Sequence, residues 1–128
     1  MHAKHADKLN ELSGIVTGCA FTALNTLAAG LLEKGNENAL AHELRKAGLV
    51  ISQQRGAIAT YDGTVIADYF VDLLAEDAVL AELKTVNALD EAHRLQCVNY
   101  LKATGRQLCR LLNFRNPRLE IKRVVNRL

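Results

Sequence analysis

Two apolar segments joined by a three-residue polar turn constrain the fold of this 128-residue chain more than any other feature. Thr64 to Leu74 and Val79 to Val86 read as strands, and the turn at Glu76, Asp77 and Ala78 is short enough to make them antiparallel neighbours. That register sets Asp72 opposite Glu82, and strand alternation puts Lys84 on the same face. A slip of one residue would send Asp72 to the other face. Two carboxylates and an ammonium within hydrophobic strands are costly unless they are paired or bind a metal. Two readings follow. One is a cross-strand salt bridge on a solvated face; the other is a divalent-metal site acting on a phosphodiester.

The rest of the chain supplies helices and further strands around this pair. Residues 7–28 place Leu9, Leu12, Ile15, Val16, Cys19, Ala20, Ala23, Leu24 and Leu27 on one broad stripe of a helix, with a break at Gly30. A second helix is expected over 33–47, closed by Gly48. A strand region starts at Leu49 and turns at Tyr61-Asp62-Gly63. Asp90 to Ala103 forms a third helix ended by Gly105, and Gln96 and Tyr100 share one of its faces. Leu108 to Phe114 reads as a strand, and Leu119 to Val125 as a strand or short helix. The pattern predicts one domain over residues 1–128 in the α/β (α+β) class, with a mixed sheet flanked by helices.

Charge is divided unevenly along the chain. Residues 1–93 hold seven Lys and Arg against thirteen Asp and Glu, whereas residues 94–128 hold nine against Glu120 alone. That suits an enzyme with carboxylates for cations and arginines for phosphates; intramolecular charge balance on a solvated surface is the plainer account. Cys19, Cys97 and Cys109 are odd in number and set among apolar residues, which favours reduced thiols in the cytoplasm and gives no zinc-ligand pairing. No apolar run is long enough to span a bilayer. His42 reads as a surface residue, while His93, one turn from Gln96, is a further site candidate.

The residues also resemble a known family. Gly30-Leu-Leu-Glu33-x-x-Asn36-Glu37 followed by Glu43-Leu-Arg and Gly48-Leu is similar to the signature of the bacterial GxxExxY proteins. The likeness continues through Ala67 to Leu74, Ala81-Glu-Leu-Lys84-Thr-Val, Gln96-x-x-x-Tyr100-Leu-Lys-Ala-Thr-Gly, Leu111 to Phe114 and Ile121 to Val125, and so covers residues 9–126. Three features depart from it: Asn36 stands where the family has Tyr, Thr22-Ala-Leu24 replaces Glu-Val-His, and Ala28-Ala29 replaces Gly-Pro.

That family is grouped with the PD-(D/E)XK nuclease-like superfamily, and the resemblance implies a four- to five-stranded mixed sheet flanked by helices. It further implies that Asp72 and Glu82 ligate Mg²⁺ or Mn²⁺ with the backbone carbonyl of Leu83, and that Lys84 is the catalytic cation. Glu37, or Glu33 one turn before it, would be the first-helix acid, and Gln96 and Tyr100 an accessory motif. Arg94, Arg106, Arg110 and Arg115 are candidates for the nucleic-acid backbone, and a homodimer would enlarge the surface offered to the nucleic acid. The expected activity is Mg²⁺-dependent phosphodiester hydrolysis. The alternative is an inactive binding or regulatory module on the same fold.

Overall fold

The computed structural model describes residues 2–27, 32–115 and 117–128. Within them the order is α1 (His2–Thr26), α2 (Glu33–Lys46), β1 (Ile51–Tyr61), β2 (Thr64–Ala75), β3 (Val79–Lys84), α3 (Glu91–Thr104), β4 (Leu108–Asn113) and β5 (Glu120–Val125). The expected break at Gly30, with Ala28, Ala29 and Leu31, lies outside the described residues. Helix α1 starts five residues earlier than the apolar stripe suggested, and Leu119–Val125 resolves as the strand β5 rather than a helix.

Local chemistry explains the boundaries. Helix α2 closes with Gly48 at φ 90°, where Gly48 N–H donates to Arg45 O and Leu49 N–H to Leu44 O. This is the paired closure that a left-handed glycine permits. Helix α3 begins at a capping box: Asp90 Oδ1 accepts from His93 N–H, and His93 Nδ1 accepts from Asp90 N–H. His93, the further site candidate, thus serves as a helix cap. Asp62 and Gly63, both with positive φ, make the two-residue β1–β2 turn that favours an Asp-Gly pair.

The five strands stand in the order β1-β2-β3-β4-β5. All neighbours are antiparallel except β3 and β4, which run parallel and are connected through α3. Alternate residues of β3 divide between two cores. Val79, Ala81 and Leu83 pack with Val16, Ala20 and Leu24 of α1 and Leu40 and Leu44 of α2. Leu80 packs on the other face with Cys97, Tyr100 and Leu101 of α3. Strand alternation gives Glu82 and Lys84 that α3-facing side. No helix among the described residues is long and apolar enough to cross a membrane.

Candidate active site

Asp72 and Glu82 meet where the β2–β3 ladder ends. The main-chain pairs run Ala75↔Val79, Leu74↔Leu80 and Leu73↔Ala81, so the next step of the same register sets Asp72 against Glu82. Here side chains take over from the ladder: Asp72 N–H donates to Glu82 Oε1 at 2.8 Å, and Leu83 N–H donates to Asp72 Oδ2 at 2.9 Å. Each carboxylate therefore bonds the partner strand and is held in place by it. An extended residue sends its N–H and C=O to the same edge. The Leu83 carbonyl accordingly lies on the edge where its N–H meets Asp72.

The electrostatics are unbalanced. Glu82 is 3% exposed, and burial together with the nearby Asp72 charge pushes its carboxyl up to about 9. Lys84 makes no ion pair with either acid within 4.0 Å; its Nζ donates instead to Gln96 Oε1 at 2.8 Å. The cross-strand salt bridge is therefore not formed, and Lys84 keeps two further donors. Tyr100 packs edge-on against Tyr69, with ring centroids 5.0 Å apart. Burial and the charges of Glu82 and Asp72 raise its hydroxyl well above the usual range.

Glu37 joins this group indirectly. It is 3% exposed on α2, and its Oε1 accepts from Gln54 Nε2 at 2.7 Å. The same Gln54 nitrogen lies 3.1 Å from Asp72 Oδ1, so one amide bridges the two carboxylates. Gln53 and Lys34 also donate to Glu37 Oε2, at 2.7 and 3.1 Å. Glu33 points elsewhere and accepts from Thr85 Oγ1 at 3.2 Å, next to Lys84 in sequence. Among the described residues no three His, Cys, Asp or Glu side chains form a metal-holding cluster. Glu37, the expected first-helix acid, thus reaches Asp72 through the Gln54 amide.

Gln54 is the residue that sequence reasoning missed. Its φ of 52° is uncommon for a non-glycine residue, and the β1–β2 pairing skips from Gln53↔Leu73 to Arg55↔Val71 around it. Its only advance signal is a pair of long amides in a strand whose partner carries the acid. Gln54→Gly relieves the left-handed backbone and Gln54→Ala retains it, while both lose the bridge. In urea unfolding, the Ala variant is expected to be less stable than the Gly variant by about 1 kcal/mol. Equal stability would mean that the backbone stores no strain there.

The four arginines separate into two pairs. Arg94, on the first turn of α3, is ion-paired with Glu91, and Arg115, exposed just beyond β4, follows the Asn113 that pairs with Lys84. These two lie at the Lys84 end of the sheet. Arg110 pairs in register with Ala81, on the opposite face from Glu82, and its Nε donates to the buried Ser13 of α1. Arg106 sits at the other end of β3, bonded to Asp77 at 2.7 Å and to Thr104 O at 2.9 Å. It lines a cleft of about 540 Å³ with Lys102, Gln107, Asn126 and Arg127. Of the four arginines expected to meet a nucleic-acid backbone, Arg106 and Arg110 are thus engaged away from Asp72 and Glu82.

An antiparallel pair of acids at the end of the central strands, followed by Lys84 two residues on and backed by α3, agrees with the sequence comparison. The profile of the PD-(D/E)XK nuclease superfamily matches residues 10–124, and the chain belongs to that superfamily. Among solved structures, the chain is similar to an alkaline exonuclease from Laribacter hongkongensis, with 17% identity and a TM-score of 0.42. That match covers 67% of this chain and 52% of the exonuclease, so the chain spans about half the length of that enzyme. No curated protein matches the sequence.

Proposed function

We propose that the chain is a divalent-metal-dependent nuclease of the GxxExxY branch, hydrolysing phosphodiester bonds of nucleic acid in the cytoplasm. The observation that carries this reading is the exchange at Asp72 and Glu82, two carboxylates locked on adjacent strands with no ion pair within 4.0 Å among the described residues. Two carboxylates suit Mg²⁺ or Mn²⁺, which keep several waters and take few protein ligands. The Asp72 and Glu82 carboxylates and the Leu83 carbonyl would hold the ion. When bound, it supplies charge neutralisation at the phosphate and an acidified water.

The protein's own groups do the remaining work. Lys84, steadied by Gln96, has donors to offer the phosphoryl oxygens or the attacking water. Glu37 acts through Gln54 to fix Asp72, Tyr100 closes the α3 side, and Glu33 orders the segment after Lys84 through Thr85. Arg94 and Arg115 contact the backbone of the nucleic acid, and the active species is a homodimer. The three unpaired cysteines are consistent with a reducing compartment.

A second reading, an inactive module that binds nucleic acid on the same fold, is favoured by the buried Asn36 beside Glu37 where the family carries Tyr. Incubation with single- and double-stranded DNA and RNA, with Mg²⁺, Mn²⁺ or chelator, tests the two. The nuclease reading predicts cleavage that chelator stops; salt-sensitive binding without cleavage would support the second.

A further inference from the structure

The β1–β2 hairpin carries an apolar surface that the candidate site does not use. Ile58 is 55% exposed, Tyr61 69%, Val65 56%, Ile66 64% and Phe70 62%. The register puts Phe70, the partner of Gly56, and Val65, the partner of Thr60, on the same face as Ile58, whereas Tyr61 falls on the other face. Exposed apolar side chains grouped on one face of a sheet mark interaction sites. A ribbon of two strands is also marginally stable in water by itself.

Among the described residues no strand pairs with the outer edge of β1, where the sheet order ends. From Gly56 to Tyr61 it has no charge and no proline, the devices that normally keep an edge from pairing. The hairpin's bulge falls on β2, where Ile66 is skipped between Thr60↔Val65 and Ala59↔Ala67. Strand β1 therefore keeps regular spacing at its edge.

We infer that β1 pairs antiparallel with β1 of a second copy of this chain, about a two-fold axis at Ile58. A two-fold axis normal to the sheet leaves each side chain on its own face, so Ile58 meets its own copy, Ala57 meets Ala59, Gly56 meets Thr60 and Arg55 meets Tyr61. No like charges oppose one another, and Arg55 meets an aromatic ring. The regular run is bounded by Gln54, left-handed at φ 52°, and by the turn at Asp62, which makes Ile58 its centre. Nucleic acid is a poor occupant, because the only charges from Gly56 to Val71 are Asp62 and Asp68. This dimer gives the proposed homodimer a surface and does not depend on metal chemistry at Asp72 and Glu82.

Sedimentation velocity over a range of concentrations tests it. The wild-type chain should pass from 14.1 kDa to twice that mass. Ile58→Lys, which sets two ammonium groups at the axis, should weaken association by about tenfold or more. Hydrogen exchange on the unmodified protein guards against a folding defect in the variant: outward-facing amides between Arg55 and Tyr61 should slow as the dimer forms. A chain that stays monomeric, exchange that ignores concentration, or a dimer untouched by Ile58→Lys overturns the inference. Loss of cleavage with the dimer intact would count against the nuclease reading alone.

Discussion

Lys84→Ala is expected to lower metal-dependent cleavage by about 10²–10³-fold while leaving the fold in place, the usual cost of removing one preorganised charge from a phosphoryl transition state. The structural cost is small by comparison. The lost contact is the bond to Gln96 Oε1, and a single hydrogen bond of this kind is worth about 1–3 kcal/mol. Asp72→Asn should lower cleavage by at least as much, because the amide keeps the size of the side chain but removes the negative charge a cation needs. It leaves an oxygen that can still accept from Leu83 N–H. Gln96→Ala should have a milder effect, since it frees Lys84 without removing it. The measurement is single-turnover cleavage beside circular dichroism and urea unfolding for each variant. Unchanged cleavage in Lys84→Ala and Asp72→Asn would assign the activity elsewhere.

The metal-free protein should lose stability as pH rises from about 5 to about 9. Glu82 has an ordinary carboxyl value of 4.5 in the unfolded chain and about 9 in the fold. Within that window the folded state holds a proton that the unfolded state has released. The contribution of Glu82 is therefore complete below the unfolded value and disappears as pH climbs through the folded one. The slope approaches about 1.4 kcal/mol per pH unit for one such group. Asp77, Glu91 and Glu120 shift the other way, held down mainly by Arg106, Arg94 and Asn113, and their contribution is lost on acidification below the ordinary carboxylate range. Glu82→Gln supplies a permanently neutral acceptor for Asp72 N–H. It should flatten the profile between pH 5 and 9 and leave the variant more stable than wild type at pH 8 in chelator. Parallel profiles for the two proteins would mean that Glu82 ionises freely in the fold.

Much of this arrangement was legible from residue pattern, and the remainder was not, for physical reasons. The three-residue turn fixed the β2–β3 register, and Leu73↔Ala81 is the pairing that sets Asp72 against Glu82. Gly48 and Gly105 marked helix ends because left-handed closure leaves a sequence signal. Of the two readings left open for Asp72, Glu82 and Lys84, the salt bridge is not formed, and Lys84 bonds Gln96 instead, a partner that residue pattern had not offered. What stayed hidden depends on contacts between distant elements. Nothing local in Gln54 announces that its amide reaches both Glu37, seventeen residues earlier, and Asp72, eighteen later. Arg110 looked like a phosphate contact because net charge carries no information about which face a strand residue takes; register with Ala81 decides that. The capping role of His93 also stayed hidden, because it depends on the reciprocal bond with Asp90.

The central claim is that Asp72 and Glu82 make one divalent-cation site. Calorimetric titration of Mn²⁺ into the wild-type chain and Asp72→Asn at pH 7, in two buffers of different ionisation enthalpy, tests it most directly. The account predicts binding to wild type with release of close to one proton, because a carboxyl poised near 9 must ionise to take the metal. It also predicts a loss of affinity of about tenfold or more in Asp72→Asn, with its unfolding transition retained. Equal binding by the two proteins, or none by the wild type, would contradict it.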